Sequence, residues 1–106
     1  VSAAALIRTA SVMVSSGASS PALELLARAR STRRRVPASC DYVEACARAQ
    51  RLVNSTQRDV DLRLGLDALR RFAASGKADR AVLEAAPLLA PLRSQPEFGV
   101  ILESVR

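Results

Sequence analysis

Apolar residues recur along this chain every three or four positions, and no segment alternates apolar and polar residues with period two. The first spacing places side chains on one face of an α-helix, whereas a half-buried strand needs the second. Aromatic residues make up only 3% of the chain, so Leu, Ala and Val must fill the interior. Because runs of β-branched and aromatic residues are also missing, the sequence predicts an all-α protein.

Proline, glycine and serine divide the apolar pattern into about six helices. Thr56 with Asp59 and Ser94 with Glu97 have the spacing of capping boxes, and Gly76 is the predicted left-handed residue that closes the fourth helix. The other predicted N-caps are Ser20, before Pro21, and Ser39 or Asp41. The predicted helices cover about residues 3–15, 20–36, 39–54, 57–75, 79–86 and 94–105.

Short connections between helices favour antiparallel neighbours, so successive helices are expected to pair as hairpins. We expect one helical domain over 1–106, formed by a first hairpin (1–36), a second hairpin (37–76) and C-terminal capping helices (77–106). The capping segment contains two helix-interrupting prolines and several leucines that would cover the apolar edge of the second hairpin. These residues are Pro87, Leu88, Leu89, Pro91, Leu92 and, at the end, Phe98.

Two parts of the chain resemble the tetratricopeptide repeat. In the first part, small and apolar residues have the separations of this repeat, namely Leu6, Ala10, Gly17, Ala22, Leu26 and Ala29. In the second, "YVEACARAQ", "LDALRRFAASG" and "DRAVLEAAPLLAPLRSQPEFGVIL" resemble the closing repeat and tail of many tetratricopeptide proteins, although Ala86 replaces the usual Asp of the tail. The resemblance implies a short α-solenoid of stacked hairpins that binds a protein partner.

The resemblance also implies where a partner binds. The first helix of each hairpin in such repeats lines a concave surface, on which Val43, Ala47, Gln50 and Arg51 would be exposed. The residues beside them would be Ile7, Ser11 and Val14. Repeats that bind a C-terminal carboxylate use Lys and Asn where this chain has Val43 and Ala47. We therefore expect a mostly apolar groove that accepts a helix or an extended segment of a protein within a larger assembly.

A basic cluster is the second candidate site. Its residues fall within eight positions that contain no acid, in a chain of net charge +6: Arg28, Arg30, Arg33, Arg34 and Arg35. Arginine clusters bind phosphates, which would suit a basic structural subunit of a ribonucleoprotein docked on RNA. However, no aromatic residue for base stacking lies nearby, and cations also suit the negative end of a helix. Contact with RNA, contact with an acidic partner and a solvated surface therefore remain alternatives.

Several residue classes needed for catalysis are missing or scarce. The chain has no His, the usual general base and commonest metal ligand. Its two cysteines, Cys40 and Cys46, are too few for a zinc site and are interpreted as free thiols of a reducing compartment, the cytoplasm or an organelle interior. No apolar run approaches the length of a membrane span. The sequence predicts a protein that is not an enzyme and holds no cofactor or metal.

Two pairs of acidic residues are candidates for catalytic carboxylates. Asp59 and Asp61 diverge by about 200° around a helix, and Asp41 and Glu44 lie near a helix start, where acids favour the helix dipole. Both pairs are predicted to be surface charges.

Overall fold

Helices form nearly all the regular structure of the computed structural model, which describes residues 2–32, 36–53 and 56–105. No strand occurs among these residues, so the predicted all-α class is confirmed. The helices are α1 (Ala3–Ser15), α2 (Ser19–Thr32), α3 (Ala38–Arg51), α4 (Arg58–Ala74), α5 (Arg80–Ala85), α6 (Ala90–Arg93) and α7 (Pro96–Ser104), with a 3₁₀ turn at Pro87–Leu89.

Local capping groups explain several of the helix ends. Ser2 accepts a hydrogen bond from the backbone N–H of Ala5 at the start of α1, and Asp79 accepts two from the first turn of α5. Gly17 and Gly76 follow α1 and α4 with φ values of 92° and 78°. This left-handed conformation is accessible to glycine at little cost, so the predicted role of Gly76 is confirmed.

Both predicted capping boxes are wrong. The N-cap of α4 is Gln57 and that of α7 is Gln95, and neither side chain makes a capping hydrogen bond. The predicted box at α7 fails because Pro96 occupies the first helical position. Proline is tolerated there because a backbone N–H at that position has no hydrogen-bond partner within the helix. Proline there moves the N-cap from Ser94 to the next residue. Similarly, α3 begins at Ala38, so Asp41 lies in its first turn.

The segment between α5 and α7 contains structure that the sequence did not predict. Pro87 begins the 3₁₀ turn and Pro91 lies in the first turn of α6. Each proline is tolerated because it precedes the first intrahelical hydrogen bond. The guanidinium of Arg93 donates to the carbonyls of Leu83 and Ala86, which joins the end of α5 to α6.

The helices pack as two adjacent pairs with the tail over the second. α1 lies against α2, α3 lies against α4, and α3 also contacts both α1 and α2. The 3₁₀ turn packs on α3, α6 packs on α3 and α4, and α7 packs on α4, α5 and α6. The radius of gyration is 12.8 Å, about the value expected for a compact domain of this length.

A single core joins these elements. Its fully buried leucines come from α2, α4, α5, the 3₁₀ turn and α6, and they are Leu26, Leu69, Leu83, Leu89 and Leu92. Gly65 lies where α3, α4 and α6 meet, and a Cβ atom there would be 3.1 Å from Cβ of Arg48 and 3.6 Å from both methyls of Leu92. Glycine at this position therefore allows the three helices to approach closely.

Candidate partner-binding surface

A small apolar cleft lies between α1, α3 and the tail. It has a volume of about 30 Å³ and is lined by Ser11, Val14, Tyr42, Val43, Cys46 and Leu88. Nε2 of Gln50 donates to the carbonyl of Val14 at 2.7 Å, so the C-terminal ends of α3 and α1 lie together. A cleft of this size holds one or two water molecules, and its walls are largely apolar.

Two residues predicted to be exposed on the concave surface are buried. The relative exposure of Val43 is 6% and that of Ala47 is 0%. Their expected exposure is wrong because α3 packs against both helices of the first hairpin, which covers the side of α3 that would have faced a partner. Among the neighbouring positions, Ile7 and Val14 are also buried, whereas Ser11 is exposed.

Gln50 and Arg51, the other two predicted groove residues, connect the two hairpins. Gln50 is half-buried and donates from Nε2 to α1, while its buried Oε1 atom has no hydrogen-bond partner among the described residues. Arg51 donates from Nη1 to the hydroxyl of Ser20 at 2.8 Å, and its Nε lies 3.3 Å from both carboxylate oxygens of Asp61. Both side chains are thus engaged in contacts within the chain.

Asp61 is the buried acid at the centre of this region. Its relative exposure is 1%, and it accepts a 2.7 Å hydrogen bond from Nη1 of Arg48. The prediction that Asp61 is a surface charge is wrong, because it lies on the buried side of α4 with Gly65 and Leu69. The i, i+4, i+8 spacing of Asp61, Gly65 and Leu69 could have indicated this burial from the sequence, because it places all three residues on the face of α4 that packs on α3.

A second ion-pair cluster joins α2, α3 and α4. Nη2 of Arg30 lies 2.9 Å from Asp41 and 2.8 Å from Glu44, and Arg71 contacts the same two carboxylates at 3.0 and 3.3 Å. The side chains of Asp41 and Glu44 are only 15% exposed, so these predicted surface charges are partly buried and paired within the chain. Opposite charges from three helices stabilise one another at this position.

The basic cluster is therefore only partly available to a ligand. Arg28 is exposed, whereas Arg30 is committed to the two carboxylates on α3. The remaining members, Arg33, Arg34 and Arg35, lie outside the described residues.

Burial makes the two thiols poor nucleophiles. Cys40 and Cys46 are free and buried. Burial raises the pKa of Cys46 from 9.0 to about 11, against the opposing effect of a hydrogen bond with Tyr42, and burial also raises the pKa of Cys40. The pKa of Tyr42 is raised to about 12, chiefly by burial. Both thiols are therefore protonated at neutral pH, and the thiol form is not the nucleophile.

Within 2–32, 36–53 and 56–105, no three His, Cys, Asp or Glu side chains are grouped so that they could hold a metal ion. No described helix is long and apolar enough to cross a membrane. No protein-family model, curated protein or solved structure matches the chain.

Proposed function

We propose that this chain is a non-catalytic, tetratricopeptide-like interaction module, acting as a scaffold or assembly subunit of a larger complex. The observation that supports the proposal is the position of α3, which lies against both α1 and α2. Gln50 and Val14 bring the ends of α1 and α3 together. In a short α-solenoid the first helices of successive hairpins adjoin in this way, and a partner binds along them.

The apolar cleft is the place where the partner binds. Val14 and Val43 line it, Ser11 lies exposed beside it, and the half-buried side chain of Leu88 lies at its edge. A partner that offers one apolar side chain and a backbone hydrogen-bonding group would match these residues, as a helix or an extended segment does.

One described residue of the basic cluster supports a protein partner over the ribonucleoprotein alternative. Arg30 is paired with Asp41 and Glu44 of the same chain. An arginine that is paired in this way gains less from phosphate neutralisation, because binding would first have to break its ion pair. The protonated thiols of Cys40 and Cys46 likewise support a role in binding rather than in bond formation.

Site-specific photocrosslinking tests this proposal. A photoreactive phenylalanine is placed at Ser11, beside the cleft, or at Ser31, an equally polar and exposed position on α2. We expect the Ser11 variant to crosslink one defined polypeptide in a cell extract, in competition with unlabelled wild-type chain, and the Ser31 variant to give none. The additional substitution Leu88→Glu should reduce the crosslink about tenfold, equivalent to about 1.4 kcal/mol.

Three outcomes would contradict the proposal. Equal crosslinking from Ser11 and Ser31 would place the contact elsewhere, and a crosslink insensitive to Leu88→Glu would exclude the cleft. Crosslinks that nuclease treatment abolishes would favour the ribonucleoprotein alternative, particularly if the binding also falls steeply with salt concentration.

A further inference from the structure

The surface of α1 next to the apolar cleft carries one charged side chain. Ser11 lines the cleft, and Arg8 lies three residues earlier, on the same side of the helix and about 4.5 Å along its axis. Both residues are exposed. Arg8 is the only charged residue of α1. A bound segment that continues from the cleft towards the N-terminus of α1 therefore passes the guanidinium of Arg8.

Arg8 differs from most of the described arginines because it makes no ion pair within the described part of the chain. The arginines that contact a carboxylate of the same chain are Arg30, Arg48, Arg51, Arg70, Arg71 and Arg80. Each of these would have to break an ion pair before it could bind an outside carboxylate. Arg8 can bind one without that loss.

The acids closest in sequence to the cleft residues of α3 already have partners on other helices. Asp41 and Glu44 lie on either side of Val43 in the sequence, but they contact Arg30 on α2 and Arg71 on α4. α1 itself contains no acid. The side of the cleft formed by α1 and α3 therefore presents a positive charge, and a carboxylate is the group that complements it.

The volume of the cleft limits the side chain that can enter it. The cleft measures about 30 Å³, which is room for one or two groups the size of a water molecule. Its walls include Val14, Val43 and Cys46, which are buried side chains of the core, so they do not move apart without disturbing close packing. An alanine or valine side chain suits this space, and an aromatic ring is too large for it.

We propose that the segment bound at the apolar cleft carries a small apolar side chain, Ala or Val, and an acidic residue that pairs with Arg8. This inference rests on the proposed function, because it specifies the partner of the same cleft. The acid lies about three or four residues from the small side chain in a helical segment, or about two in an extended one. These spacings keep both side chains on one face and match the separation of Ser11 and Arg8 along α1.

Selection of displayed random peptides on the full chain tests the inference without a known partner. Peptides are selected on the wild type and then depleted on Leu88→Glu, which places a charge at the edge of the cleft. Because Leu88 is half-buried, circular dichroism verifies that this variant is folded, and Ser11→Trp, at an exposed position, is a second cleft variant. We expect the retained peptides to share Asp or Glu at a fixed spacing from Ala or Val.

Fluorescence anisotropy of a labelled, selected peptide then measures the role of Arg8. Arg8→Glu should raise the Kd about tenfold, because it replaces attraction of the peptide's acid by repulsion. The control is Arg28→Glu, the same change of charge at an exposed arginine of α2, which should alter the Kd by less than about twofold. A peptide whose acid is replaced by Lys should bind Arg8→Glu more tightly than it binds the wild type.

The outcomes separate this inference from the proposed function. Peptides that bind the wild type, fail to bind both cleft variants and share no acid would overturn the inference and leave the cleft as the binding site. Equal effects of Arg8→Glu and Arg28→Glu would also overturn it, since they would indicate attraction to the net positive charge alone. Selection of no peptide, or of peptides that bind the cleft variants as well as the wild type, would contradict the proposed function and the inference together.

Discussion

Asp61 on α4 joins two arginine side chains of α3 that lie 10 and 13 residues earlier in the sequence. Arg48 and Arg51 reach it from α3, and the side chains of these arginines remain 22% and 30% exposed while the carboxylate is 1% exposed. Removing one partner of such a pair leaves the others in low dielectric without compensation. The sequence could predict the helix that carries Asp61 but not its partners, because the charges meet through tertiary packing and not through local i, i+4 spacing.

Asp61→Asn should lower the free energy of unfolding by about 2 kcal/mol. This is below the usual cost of breaking a fully buried ion pair because water reaches both arginines. Asp59→Asn, a substitution of an exposed acid two residues earlier, should change the free energy by less than about 0.5 kcal/mol. Urea unfolding measures both. Equal effects of the two variants would contradict the structural role given to Asp61.

Cys46 makes stability depend on pH in the alkaline range. Its pKa is raised from 9.0 to about 11 in the folded chain, so above pH 9 the unfolded chain loses a proton that the folded chain retains. The contribution is constant below pH 9, and the free energy of unfolding then falls by up to about 1.4 kcal/mol per pH unit until about pH 11.

Urea unfolding at pH 8, 9 and 10 tests the role of this thiol. Cys46→Ala should reduce the loss of stability between pH 9 and pH 10, whatever its effect on stability at pH 8. Cys40 leaves a residual slope, because burial raises its pKa as well. The same slope in the wild type and the variant would refute the assignment to Cys46.

At the scale of single helices, the apolar periodicity predicted where helices occur more accurately than it predicted the residues at which they begin and end. The predicted limits of the first helix agree with α1, and α5 starts one residue after Asp79, the predicted first residue. α6 was not predicted, since its four residues, which include Pro91, contain too few turns to show a period. The capping boxes failed because a serine or threonine near a helix start is a cap only if it is the last non-helical residue.

Two glycine-to-alanine substitutions separate backbone conformation from packing. A Cβ atom at Gly76 or at Gly99 would have no neighbour within 4 Å, but only Gly76 has a positive φ, 78°. Gly76→Ala should destabilise the protein by about 1 kcal/mol. Gly99→Ala, inside α7, should stabilise it by about 0.5–1 kcal/mol. Thermal unfolding compares them, and effects of the same sign would contradict the left-handed end of α4.

At the scale of the whole molecule, the sequence predicted the pairing of neighbouring helices but not which surfaces they cover. α1 with α2 and α3 with α4 pack as the short connections indicate. Val43 and Ala47 were expected to be exposed on a concave surface and are instead buried. Small and apolar residues suit either environment, and a single helix pattern does not distinguish packing within the chain from packing on a partner.

The most direct test of this arrangement is a methyl NOE measurement on the full chain. α1, α3 and the tail bring Val14, Val43 and Leu88 to one cleft, although these residues lie far apart in the sequence. We expect NOE cross-peaks between the methyl groups of Leu88 and those of both valines. Their absence, with Leu88 shifts of an unfolded chain, would contradict the packing of α1 on α3 and of the tail over both.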